Sequence, residues 1–140
     1  MFLLDTDTLS LLFRNHPQVL ERFQRHRPDE KVTISILTRV EILRGRFDAL
    51  IKAATKDEWL RAQTRLKEDD DRLAAWEIIP ITEAAADQFE RLRATKKLRK
   101  AGRGDLLIAC IALANKATLV TRNTKDFKLI PGLKLENWAD

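Results

Sequence analysis

The sequence predicts an α/β fold: a three-layer α/β/α sandwich around a central, mostly parallel sheet. Three observations carry this. Short apolar or β-branched runs alternate along the chain with stretches of helical periodicity. The connections between those runs are too long for hairpins, so successive strands pair through parallel crossovers. One segment, Leu106 to Ala114, is apolar almost all round and reads as a central buried helix. At 140 residues the chain has the length of a single domain, residues 1–140.

Phe2-Leu3-Leu4 is the first strand, handing over to a helix whose N-cap is either Thr6 or Asp7. A second helix starts at Pro17, carries Val19, Leu20 and Phe23 inward, and ends before Pro28. Val32-Thr33-Ile34 is β-branched throughout and forms the second strand, after which Ser35 caps a long helix. Ile36, Val40, Leu43, Phe47 and Leu50 make that helix's apolar stripe, and Trp59, Ala62, Leu66 and Leu73 repeat the pattern between Asp57 and Trp76. The acidic run Asp69-Asp70-Asp71 reads as a solvated face.

Ile78 to Ile81 is a third strand, with Pro80 placing its last residues at an edge or strand end. Thr82 caps a helix bearing Ala85, Phe89 and Leu92 whose far end is basic. Gly102-Arg103-Gly104 breaks it, and Asp105 opens the buried helix. Leu119-Val120-Thr121 is a fourth strand, Asn123 caps a turn through Phe127, and Leu133 to Glu136 adds an edge strand.

Composition narrows the chemistry. The lone cysteine, Cys110, lies inside the apolar run, where it is a buried thiol, and one cysteine makes neither an internal disulfide nor a multi-Cys zinc site. This fits a cytoplasmic protein. No apolar run approaches the twenty or so residues of a membrane span. The serines, Ser10 and Ser35, stand in no G-x-S-x-G elbow, and no Gly-rich phosphate loop is present. His16 and His26 read as surface residues in the second-helix region.

What remains is acid. Ligands of parallel α/β sheets bind at the carboxyl ends of the strands. Asp5 follows the first strand directly, and Asp126 lies within reach of the end of the fourth. Asp105, at a helix start, is either an ordinary cap or a group brought to the same sheet edge. Glu41 sits at the margin of its helix's apolar stripe, where Arg44 shares its flank and could pair with it. Converging, these four carboxylates would repel strongly unless a divalent cation neutralised them, and an oxygen-only donor set selects Mg²⁺ or Mn²⁺.

The net charge of +5 is local in origin. Seven bases and no acid lie between Arg91 and Arg103, whereas elsewhere acids outnumber bases by 21 to 19. This segment is either a solvated helix face or a border of cations for a phosphate backbone.

Four stretches carry a resemblance: Leu3-Leu4-Asp5-Thr6-Asp7-Thr8-Leu9, Thr38-Arg39-Val40-Glu41-Ile42, Gly104-Asp105-Leu106-Leu107-Ile108-Ala109, and Leu119 to Phe127. In order and spacing they resemble the four acidic motifs of the PIN domain, and more narrowly those of VapC toxins of type II toxin–antitoxin systems. The resemblance extends to the closing Ile130 to Trp138. It implies a PIN-like fold and an Mg²⁺- or Mn²⁺-dependent endoribonuclease that cleaves RNA, such as a tRNA, by metal-activated water. Asp5, Glu41, Asp105 and Asp126 carry over as its catalytic, metal-binding quartet, with Thr121 and Asn123 as supporting polar residues. Arg93, Lys96, Lys97, Arg99, Lys100 and Arg103 are the RNA-binding candidates.

Asp7 stands where such toxins often carry Asn, and is either a helix cap or a fifth acid; no second acid lies just upstream of Asp105. The resemblance also implies a VapB-like antitoxin whose tail covers the pocket, and a homodimer. Two rival readings stand beside it. A HAD-type phosphatase is suggested by Asp5-x-Asp7, but Leu9 stands where that motif wants Thr or Val. The other is a non-catalytic PIN-like module that binds RNA or a partner.

Overall fold

The computed structural model of the chain describes residues 1–98 and 100–140. Five parallel strands form one sheet in the order β3-β2-β1-β4-β5: β1 (Phe2–Leu4), β2 (Val32–Ser35), β3 (Ile78–Ile79), β4 (Thr118–Val120) and β5 (Lys134–Glu136). Leu4 pairs with Ile34 on one side and with Val120 on the other, so the strand nearest the start of the sequence is the central one.

Alternation along β1 divides the core in two, because successive side chains of a strand point to opposite faces. Leu3 packs with α5 (Glu83–Arg93), α6 (Arg103–Ala114) and α7 (Thr124–Phe127) through Ala85, Ile108, Ile111 and Phe127. Phe2 and Leu4 pack on the other face with α1 (Thr6–Phe13) and α2 (Pro17–Gln24) through Leu9, Leu12 and Val19, and with Leu73 and Trp138. This is the three-layer sandwich expected, with α6 as its buried helix: Leu106 and Ile108 to Ala112 are all inside, Cys110 included.

Several local expectations need correction. The first helix is capped by Asp5, whose carboxylate accepts from the Thr8 backbone N–H at 2.9 Å, and not by Thr6 or Asp7. The third strand stops at Ile79, since Pro80 has no N–H to give the ladder. The fourth runs Thr118–Val120 and leaves Thr121 just beyond it. The helix capped by Thr82 ends at Arg93, before most of the basic segment, of which Lys96–Leu98 form a short 3₁₀ turn anchored by buried Leu98. The buried helix begins at Arg103, which places Asp105 inside its first turn instead of at its cap. His16 caps α2, its Nδ1 accepting from the Val19 N–H.

The long helices depart furthest from expectation. α3 (Ile36–Lys52) and α4 (Lys56–Ala74) span about 25 and 28 Å at 1.5 Å per residue, whereas β2 and the edge strand β3 beside them are only four and two residues long. The sheet therefore covers only part of each helix, and the remainder packs as a hairpin on itself. Phe47 and Trp59, expected to face the core, are 54% and 53% exposed, and Val40 is likewise half out. The acidic run is also misread. Asp70 and Asp71 are solvated, but Asp69 is buried at 2% exposure. It accepts from Arg46 Nε at 2.6 Å and from Arg72 at 3.4 Å, which ties α4 to α3.

Candidate active site

The site follows from the topology. β1 lies between β2 and β4; beyond its carboxyl end the chain turns into α1 on one face, while beyond β4 it turns into α7 on the other. Diverging connections at adjacent strand ends open a crevice at the switch point. Asp5 stands at the end of β1, and Thr121 and Asp126 follow the end of β4.

Asp5 is held on several sides. Its backbone N–H donates to the Val120 carbonyl at 3.0 Å, fixing the residue against β4. Burial pushes its carboxyl above the usual carboxylate range, opposed by the Thr121 hydroxyl and the Thr8 backbone N–H and reinforced by the Asp7 charge. Thr121 is itself buried and accepts from the Asn123 N–H at 3.0 Å, which leaves its own proton for Asp5. Asp105 is also pushed up, first by burial and then by repulsion from Asp5, Asp7 and Asp126. These four carboxylates thus share one field. Asp7 is solvent-exposed and acts here as an additional acid, the capping role having gone to Asp5.

Glu41, on α3, lines a cleft together with Asp7 and accepts from the Thr6 hydroxyl at 3.0 Å, but it is not among the charges that act on Asp5 or Asp105. The Thr6 hydroxyl also meets that of Thr38 at 3.1 Å, and Thr38 meets Ser35, the cap of α3, at 3.4 Å. This hydroxyl chain ties the start of α1 to the start of α3. The expected Glu41–Arg44 pair does not form among the described residues. Asn123 does not cap α7 through its side chain; its Nδ2 donates instead to Asp126 at 3.0 Å.

No ion pair involves Asp5, Asp7, Glu41, Asp105 or Asp126 among the described residues. Neither do three or more of their carboxylates, as placed, close on a single point in the manner of a finished metal cage. The arrangement is an unneutralised acidic crevice with oxygen donors only, suited in chemistry to a hard divalent cation. Of the basic segment, Arg93, Lys96, Lys97, Lys100 and Arg103 are exposed, Arg103 lying two residues before Asp105 with its guanidinium 5.2 Å from the Phe89 ring centre. Arg99 lies outside the described residues.

Sequence reasoning missed Thr6 and Thr38 as members of the site, although hydroxyls beside acids at two strand-to-helix junctions were visible. It also missed four arginines. Arg14, Arg46, Arg65 and Arg72 line a cleft of about 750 Å³ that continues from Asp7 and Glu41 between α1, α3 and α4.

A crevice of unpaired carboxylates at the switch point of a five-stranded parallel sheet is the arrangement the PIN resemblance implies, and comparison bears the family out. The PIN domain family model matches residues 2–133, and the chain belongs to that family. Its relatives point within the family to the VapC branch. Ribonuclease VapC2 of Rickettsia felis is 31% identical over 99% of this chain and 98% of its own. The solved VapBC2 complex of that organism, bound to a promoter DNA fragment, superposes with a TM-score of 0.77 at 30% identity, covering 98% of both chains. Ribonuclease VapC1 of Haemophilus influenzae is 29% identical, and the tRNA(fMet)-specific endonuclease VapC of Salmonella typhimurium 26%, each over 99% of this chain and 98% of the relative. The HAD-type reading falls with this match. Among the described residues no helix is long and apolar enough to cross a membrane.

Proposed function

We propose that this chain is the toxin of a type II toxin–antitoxin pair, an endoribonuclease that needs a divalent cation. Asp5, Glu41, Asp105 and Asp126 form its catalytic, metal-binding quartet, and Asp7 adds negative charge at the rim. The observation that carries this reading is the acidic field at Asp105, whose carboxyl is raised first by burial and then by repulsion from Asp5, Asp7 and Asp126, none of which is ion-paired among the described residues. Such a cluster costs folding free energy and persists where a bound ion repays it.

Mg²⁺ or Mn²⁺ suits the oxygen donors, and would supply charge neutralisation and Lewis-acid activation at a scissile phosphate. The protein's own groups do the rest. The Thr8 N–H and the Thr121 hydroxyl orient Asp5 and favour its ionised form, opposing the effect of its burial. Thr6 fixes Glu41, and Asn123 fixes Asp126. The exposed bases at Arg93, Lys96, Lys97, Lys100 and Arg103, together with Arg99 in sequence, hold the phosphate backbone of the substrate. The name of the Salmonella relative supports a structured RNA such as a tRNA. The VapBC complexes support a VapB-like antitoxin as partner. The working assembly is a homodimer of this chain in the cytoplasm.

The purified protein should cleave RNA in Mg²⁺ or Mn²⁺ and stop in EDTA. Asp5→Asn and Asp105→Asn should each lose most of the activity, and the double variant should be little worse than either, because ligands of one ion act as a unit. A folded protein inert toward RNA with both metals would make the chain a non-catalytic binding module instead.

A further inference from the structure

The cleft that leaves the acidic crevice changes sign along its length. Asp7 and Glu41 line one end, and Arg14, Arg46, Arg65 and Arg72 line the other. Only Glu68 and Asp69 oppose the arginines there, and Asp69 is buried and shared between two of them, Arg46 and Arg72. One carboxylate between two guanidinium groups leaves a net positive charge, and each guanidinium keeps N–H donors that Asp69 does not use.

Three of the four arginines are held in place by the fold. Arg46 is fixed by its 2.6 Å contact to Asp69. Arg72 sits 5.4 Å from the centre of the Phe13 ring, and Arg14 Nε donates to the Ser10 carbonyl at 3.3 Å. Guanidinium groups ordered in advance lose less entropy on binding an anion, and their planar fork matches a phosphate. Tying α3 to α4 requires only Arg46. Arg14 and Arg65 form no ion pair among the described residues, so a purely structural role leaves them unexplained.

We propose that this arginine-lined end is a phosphate-binding subsite for the RNA strand flanking the bond that is cut. The inference rests on the ribonuclease reading above and deepens it. The strand runs from the basic segment across the acids and on into the cleft, so cations grip it on both sides of the carboxylates. Four arginines at positions 14, 46, 65 and 72 form no charge run in the sequence; the fold alone brings them together.

The test uses Asp5→Asn as a silenced parent, with binding of a mixed-sequence single-stranded RNA oligonucleotide followed by fluorescence anisotropy across a salt series. Each lost phosphate contact should flatten the log–log salt slope by about 0.7, so Arg14→Gln with Arg65→Gln should flatten it by about 1.4. Arg65→Gln alone should flatten it by about 0.7, which keeps the test open should the double variant fold poorly. Lys31→Gln with Lys116→Gln removes the same charge at the opposite edge of the sheet and should leave the slope at the parent value.

A parent-like slope in Arg65→Gln and in the double variant overturns the subsite. So does an unchanged slope combined with lost retention of the co-expressed antitoxin, which would make the cleft a protein-docking surface. Failure of the ribonuclease reading is separately visible, as a wild-type protein that cleaves no RNA with either metal.

Discussion

Asp69 is the buried charge on which the α3–α4 hairpin depends, and Asp69→Ala should expose how much. Its side chain is 3% exposed and contacts Arg46 at 2.6 Å and Arg72 at 3.4 Å. Removing one partner of a buried pair typically costs about 3–5 kcal/mol, chiefly by stranding the other charge. Here the stranded side chains are 34% and 48% exposed and reach water readily, so the loss falls to about 2–3 kcal/mol. For a domain of this size that lowers Tm by about 6–12 °C. Urea unfolding of wild type, Asp69→Ala, Arg46→Ala and the double variant would give a coupling energy of about 1.5 kcal/mol or more. A coupling below about 0.5 kcal/mol, with Asp69→Ala as stable as wild type, would refute the argument and make the pair an incidental surface contact.

Three other outcomes follow from the site and the core. Thr121→Val removes a hydrogen bond that favours ionised Asp5, so the acid limb of the pH–rate profile should move to higher pH; an unmoved limb would show that Asp5 does not govern it. Asp105 is raised in the folded state, so its charge opposes folding above the ordinary carboxylate range. Asp105→Asn should therefore raise Tm by a degree or more at pH 7 in EDTA and, in Mg²⁺, lose most of the cleavage; a fall in Tm would contradict the repulsion. Burial pushes the Cys110 thiol up to about 11, so iodoacetamide at pH 8 should leave the native protein unlabelled and label it fully in urea, as read by mass spectrometry. The same shift makes stability fall as pH rises through the window from 9.0 to about 11, because the unfolded thiol ionises first.

The layers and most elements were legible because they rest on strong local signals. Short apolar runs gave β1 and β4, a β-branched run gave β2, and the all-round apolar segment 106–114 gave the buried helix. The acids at Asp5 and Asp126 were legible from position alone, since each follows a strand end. Asp105 and Glu41 needed the family pattern, because a helix-start Asp and a stripe-margin Glu are commonplace in isolation. Asp69 was misread although a signal existed. With Ala62, Leu66 and Leu73 it keeps the spacing of four, three and four residues that marks one helix face, and the run of three acids obscured it. The exposure of Phe47 and Trp59 was not legible, because helical periodicity reports that a stripe exists and not whether the sheet is wide enough to cover it. The arginine cleft depends on contacts between three helices, which no local window contains.

The central position of β1 sets a timetable for activity. Leu4 pairs with Val120, Asp5 donates to the Val120 carbonyl, and Thr121 steadies the Asp5 carboxylate. Most of the chain separates these partners, so a growing polypeptide that carries only β1 to α5 has neither the strand that closes the crevice nor Asp105 and Asp126 within it. Contacts of such long sequence separation form late in folding. A nuclease wired in this order stays harmless while its own message is still being read, and acquires its cutting pocket only once β4 has been synthesised and docked beside β1.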